Sequence, residues 1–251
     1  MFDFELMRRL STAAAVSEAE VEQLRQNRDE RNENSRSFEG LDGATPESTR
    51  LSPEEIAALI SPEARDIVIG FEVGSRPLYE AKYIEPEWPK GASGVTIGIG
   101  YDIGYHTKDE LAKHWAGLIS DTDIQRLMRA VGVKGANAGA IISDFRGIRV
   151  PWDSAIAAYE RSTMPKYGAL VLKAFPNSAE LKGHCFGALF SLVFNRGASM
   201  DGDRRQEMRN IRDYCAARNF TEVPDEFRAM KQLWKNQGLP GLLKRREAEA
   251  L

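Results

Sequence analysis

The sequence predicts a mostly helical α+β domain with two lobes: a small β-sheet lobe, and a helical lobe built around one buried central helix. Three observations predict it. Between Gly183 and Asn195 nearly every position is apolar (Phe186, Ala188, Leu189, Phe190, Leu192, Val193, Phe194), and a helix that is apolar on all sides is a buried one. Between Gly94 and Asp102, Val95, Ile97 and Ile99 alternate with Thr96 and glycines, which is the period of a strand. Elsewhere, capping signals stand in front of runs with helical spacing.

The elements follow in order. Residues 1–50 read as an extension: Val16 to Arg31 fits a charged helix with a thin apolar stripe (Val16, Ala19, Leu24), and Asn32 to Arg50 is rich in Asn, Ser, Gly, Glu and Thr, the composition of a linker. The folded domain is expected over residues 51–251. Ser52-Pro-Glu-Glu55 is a capping box with Pro at the first helical position. Ser61-Pro-Glu opens a second helix, which runs through Glu72 and stops at Gly74, a residue that enters the left-handed conformation cheaply. Thr107-Lys-Asp-Glu110 is another capping box, leading to Trp115. Helices are expected near 121–131, 136–145, 151–174 with a bend or break at Pro165, 183–195, 204–218, 224–233 and 240–251.

Composition bounds the function. The chain has 251 residues, 42% hydrophobic and 28% charged, with a formal net charge of −3. Residues 1–60 hold 7 arginines and no lysine against 13 acidic residues, so the remainder is mildly basic, which suits an anionic polymer. No run approaches the roughly 20 apolar residues of a membrane span, and no secretory signal peptide is evident at the start. Basic residues do not interleave with aromatics in a patch, so no nucleic-acid partner is expected. Cys185 and Cys215 fit no metal spacing and read as free buried thiols; His106, His114 and His184 show no ligand spacing either. No metal or organic cofactor is implied.

The residues that carry chemistry lie between Glu72 and Asp102. Glu72 ends the apolar run Ile67-Val-Ile-Gly-Phe71, and an apolar wall raises a carboxyl's pKa and keeps it protonated. Thr96 offers a hydroxyl that can hold a water, on a strand face of glycines that something can approach closely. Asp102 follows beyond Gly98 and Gly100. Glycoside hydrolysis commonly pairs two carboxyls, one to protonate the leaving oxygen and one to handle water or form a covalent intermediate. The spacing alone also fits a helix-end Glu, a structural Thr and a turn Asp.

Gly70-Phe-Glu72 followed by Thr96-Ile-Gly-Ile-Gly-Tyr-Asp-Ile-Gly104 resembles the front half of the phage-type lysozymes. Ala188-Leu-Phe-Ser-Leu-Val-Phe-Asn-Arg-Gly197 resembles their central helix, and Trp234 to Glu249, a Gly-Leu turn leading into an arginine-rich helix, resembles their closing segment. The match covers residues from about 61 to 251, in order. Many phage-type lysozymes carry an Asp six residues before the Thr, where this chain has Lys90; Asp102, six residues after it, resembles the pesticin-like muramidases. The resemblance implies cleavage of the β-1,4 bond between N-acetylmuramic acid and N-acetylglucosamine in peptidoglycan, with inversion. Glu72 would be the general acid, Asp102 the residue activating water, and Thr96 the group holding that water. Tyr79, Tyr101, Trp88 and Arg196 are candidate substrate-binding residues, and Glu85 and Glu87 are rival second carboxylates.

Other readings of the same motifs are a lytic transglycosylase and a catalytically inactive wall-binding module of a phage tail or secretion apparatus. The expected partners are peptidoglycan, a phage or secretion component met through residues 1–50, and an immunity protein. The chain is expected to be a monomer, made in the cytoplasm and acting on the wall in the periplasm of a host or target cell.

Overall fold

A computed structural model describes residues 15–26 and 51–251. It divides into two compact units, one of residues 72–165 and one of the described residues before 72 with 166–251. The expected linker Asn32–Arg50 lies outside the described residues.

The discontinuous unit is helical. It holds α1 (Glu18–Gln26), α2 (Pro53–Ala58), most of α3 (Pro62–Val73) and of α9 (Met164–Ala174), then α10 (Gly183–Arg196), α11 (Gln206–Ala216), α12 (Val223–Ala229) and α13 (Pro240–Ala250). α2 starts as its sequence dictates: the Ser52 hydroxyl accepts from Glu55 N, and the Glu55 carboxylate accepts from Ser52 N at 2.7 Å. α10 is the expected buried helix. Phe186, Leu189, Phe190, Leu192, Val193 and Phe194 are all at most 1% exposed. α3 approaches it where Gly187 leaves room: a Cβ there would collide with Ala64. Tyr167 of α9 meets Phe194 edge to face at 4.7 Å between centroids. α13 packs on both α10 and α12.

Residues 1–50 are expected to carry only a thin apolar stripe, and part of α1 is nevertheless buried in the structure. Val21 and Leu24 of α1 are 0% and 7% exposed, and Leu24 lies against Gly241 of α13. Glu20 pairs with Lys244 at 2.8 Å. Two apolar residues one turn apart suffice because Gly241 lets the two helices approach closely.

The continuous unit carries the sheet. α4 (Arg76–Lys82) leads to a long loop, then come β1 (Thr96–Ile97) and β2 (Tyr101–Asp102), followed by α5 (Lys108–Trp115), α6 (Asp121–Leu127), α7 (Ala136–Ile141) and α8 (Trp152–Ala158). The segment expected as one strand is a hairpin: Thr96 pairs with Asp102 and Ile97 with Tyr101. The chain reverses at Gly98 and Gly100, whose φ values of 57° and 71° are cheap only for glycine. Gly98 lies against Trp115, which is fully buried. The expected break at Pro165 is a π segment, Tyr159–Thr163, running into α9. Widening the ladder there accommodates a proline that has no N–H and crowds the preceding turn.

Candidate active site

Glu72 is the penultimate residue of α3 and 4% exposed; Gly74 follows at φ 73° and ends the helix as expected. Glu72 has at least one polar or electrostatic interaction within the protein.

Thr96 and Asp102 are direct cross-strand partners, so their side chains stand on the same face of the hairpin. A second antiparallel bridge joins Thr96 to Glu87, with Glu87 N donating to Thr96 O at 3.0 Å and Thr96 N to Glu87 O at 2.8 Å. Glu87, Thr96 and Asp102 therefore form a row on one face, with the hydroxyl between two carboxylates. Glu85 is two residues away in sequence and exposed, and its carboxylate meets Arg149 at 3.5 Å.

Backbone amides set the Asp102 carboxylate. Both of its oxygens accept from Gly94 N at 3.0 Å, and Oδ1 also accepts from Gly104 N at 3.0 Å. These glycines are required on steric grounds. A Cβ on Gly94 would run into the Asp102 carboxylate and lie 2.7 Å from Gly104 Cα, and one on Gly104 would lie 2.7 Å from Val133 O. Gly94 is held in turn by a bridge to Lys134 and by Gly135 N donating to Ser93 O at 2.9 Å. The Thr96 hydroxyl lies 3.5 Å from Gly94 O, the outer limit of a hydrogen bond, so it keeps capacity for another partner. Thr96 is 1% exposed, while Asp102 is half-buried.

The residues expected to bind substrate are interior ones. Tyr79 is fully buried, donates to Val150 O at 2.8 Å and meets Trp152 edge to face. Tyr101 is buried, bonds His114 Nδ1 at 3.0 Å and stacks on His106; burial, with Glu110 adding, pushes its phenol well above the ordinary range. Arg196 is 1% exposed, donates to Arg204 O and lies over the Trp234 ring at 5.2 Å. Each is occupied in packing and none offers a surface here. Trp88 is half-buried against Gly139, with its indole donating to Ser93 O at 3.1 Å. Cys215 is buried as expected, its thiol pushed up to about 11, whereas Cys185 is exposed.

Sequence reasoning missed Gly94 and Gly104 as the donors that fix Asp102. The Asp-Ile-Gly spacing carried part of the signal, since an Asp side chain commonly caps the amide two residues on. Nothing in the sequence signalled the bridge from Glu87 to Thr96, which joins a loop to a strand. Among the described residues no three His, Cys, Asp or Glu side chains converge as metal ligands, and no helix is long and apolar enough to cross a membrane.

Comparison with known families divides the chain near residue 151. A domain of unknown function (DUF8812) matches residues 74–150, which include Glu87, Thr96 and Asp102, whereas Glu72 lies outside both matched segments. No curated protein matches the chain. The model of the phage lysozymes matches residues 152–249, from α8 through the buried α10 to the arginine-rich α13, and supports a phage-type lysozyme assignment for that segment.

Proposed function

We propose that the protein is a muramidase, an inverting glycoside hydrolase that cleaves the β-1,4 bond between N-acetylmuramic acid and N-acetylglucosamine in peptidoglycan. The observation that carries this reading is the Thr96–Asp102 pair: a hydroxyl and a carboxylate on one face, the carboxylate fixed by backbone donors. The match of residues 152–249 to the phage lysozyme model supports the substrate class.

In this mechanism Glu72 donates its proton to the glycosidic oxygen as the bond to C1 breaks. A water held by Thr96 Oγ1 attacks C1 from the opposite face, and Asp102 takes the proton that water loses. One water is consumed and the new reducing end is hydrated and inverted. An inverting site needs its carboxyls roughly 6.5–9.5 Å apart, leaving room for that water. Fixed amides suit Asp102 to the task because they hold it ready without reorganisation. Glu87 supports a second version of the same chemistry, since it flanks Thr96 on the other side and could take the proton instead.

Residues 51–251 are the catalytic domain in this reading. Residues 1–50 are an extension, partly docked through α1, that serves delivery of an antibacterial or lytic enzyme to the wall. Mass spectrometry of digested peptidoglycan tests the reaction. Hydrated reducing ends on N-acetylmuramic acid are expected. Anhydro ends would make the protein a lytic transglycosylase, and no release at all would make it a wall-binding module.

A further inference from the structure

The two amides that hold Asp102 belong to glycines, and a glycine has no side chain with which to anchor its own backbone. Glycine also loses more conformational freedom on folding than any other residue. Neighbouring groups must therefore keep the Gly94 and Gly104 N–H groups aimed at the carboxylate. Two residues of the same unit, Lys134 and Tyr105, are placed to do so.

Lys134 meets both glycines. Its backbone forms an antiparallel bridge with Gly94, and its side chain runs past Gly104, where a Cβ would lie 3.0 Å from Lys134 Cγ. The Lys134 ammonium then sits over the Tyr105 ring, 3.7 Å from its centroid. A cation that close to a ring face is attracted by the ring's quadrupole. Tyr105 follows Gly104 directly and ends the short 3₁₀ turn that Asp102 caps. Its hydroxyl donates to Ala92 O at 3.1 Å, two residues before Gly94. These contacts make a closed circuit, from Ala92 along the chain to Gly94, across to Lys134, on to Tyr105 and back to Ala92. Gly104 lies within it, joined to Tyr105 and flanked by the Lys134 stem. Lys134 is exposed and Tyr105 half-buried, so neither belongs to the core.

We infer that Lys134 and Tyr105 are positioning residues, a clamp that keeps the Gly94 and Gly104 amides on Asp102 and so fixes the carboxylate that takes the proton from water. Its part in turnover rests on the muramidase reading above, while the clamp itself does not. The ammonium matters as well as the stem, because only a cation is drawn onto the ring face. A reacting group misplaced by about 1 Å can cost about 10²-fold in rate. Lys134 acts through Asp102, so its loss should lower kcat and leave KM nearly unchanged.

Proton NMR of the Gly94 and Gly104 amides in the full chain tests the clamp without reference to activity. An amide that donates to a carboxylate resonates downfield. In Lys134→Ala both amides should move upfield, in the same sense as in Asp102→Asn, while the protein still melts cooperatively. Unmoved amides overturn the inference. On soluble glycan fragments, kcat of Lys134→Ala should fall about 10–100-fold with KM within about threefold. Moved amides with an unchanged kcat would uphold the clamp and contradict the base role of Asp102 instead. A raised KM at unchanged kcat would make Lys134 a substrate contact and overturn its positioning role. Lys134→Arg keeps a cation over the ring and should restore kcat to within about threefold, whereas Lys134→Met keeps the stem alone and should not. Equal rates in those two variants overturn the part given to the ammonium. Should Lys134→Ala not fold, Tyr105→Phe removes only the hydroxyl that reaches Ala92, and should shift the same two amides and lower kcat about 3–10-fold. Tyr105→Phe with both amides in place also overturns the clamp.

Discussion

Asp102 and Glu249 are both carboxylates that gather hydrogen bonds, and they are held in opposite ways. Asp102 is half-buried and accepts from the backbone amides of Gly94 and Gly104, all within eleven residues of chain. Glu249 is fully enclosed and accepts from side chains, one of which, Ser191, lies 58 residues away in sequence. Backbone donors are fixed by the path of the chain and cannot rotate away. They suit a carboxylate that must stay in place with one side open to a reactant. Side-chain donors carry charge into the interior, and there the carboxylate matches two guanidiniums, those of Arg245 and Arg246, that would otherwise be buried with less compensation.

The comparison predicts different failures in the two regions. Asp102→Asn should cost the largest effect, about 10²–10⁴-fold in wall hydrolysis with little change in melting, because a general base is lost and the hairpin is not. Gly94→Ala should approach that loss, since its Cβ displaces the same carboxylate. Near-normal rates in Asp102→Asn combined with a collapse in Glu87→Gln would move the base to the other side of Thr96.

Glu249→Ala should do the reverse, with loss of stability of about 3–5 kcal/mol from two buried guanidiniums left short of a counter-charge, and an unchanged rate while folded. A melting curve and a turbidity assay on the same sample separate the two outcomes.

A protein starting at Leu51 should show a smaller effect. It keeps hydrolysis but melts lower, because Val21 and Leu24 are buried and burying such a side chain is worth about 1.5–3 kcal/mol. The docking of α1 should also weaken in acid. Burial raises the Glu20 carboxyl, but the Lys244 ammonium and the Ser17 amide outweigh it and hold it below its ordinary value. A depressed carboxyl stabilises above the unfolded value, about 4.3, and loses that contribution as pH falls through the lower folded one. Protease cleavage near α1 should therefore rise below about pH 4, and Lys244→Ala should show the same cleavage at neutral pH. Glu85→Gln should do least, under about tenfold in rate, because that exposed carboxylate is spent on Arg149.

What the sequence made legible was local. The capping boxes at Ser52 and Thr107, the stop at Gly74 and the all-apolar α10 depend on residues within a few positions, and all four are in the structure. The hairpin at Gly98 and Gly100 was harder to read, because alternating apolar residues look the same in one strand as in two short ones joined by glycines. Tyr79, Tyr101 and Arg196 read as binding residues because exposed aromatics and arginines commonly bind. What buries them comes from far along the chain: Val150 for Tyr79, His114 for Tyr101, Trp234 for Arg196. The row of Glu87, Thr96 and Asp102 was half legible. The Thr–Asp side follows from a hairpin, and the Glu87 side needs a loop whose path no spacing encodes.

The central claim is that Glu72 donates the proton that breaks the glycosidic bond, and Glu72→Gln tests it most directly. The amide keeps the shape of the acid and cannot donate in the same way. Release of soluble fragments from purified peptidoglycan, measured beside a melting curve, should fall to background in a variant that still unfolds cooperatively. Full release by well-folded Glu72→Gln would contradict the account.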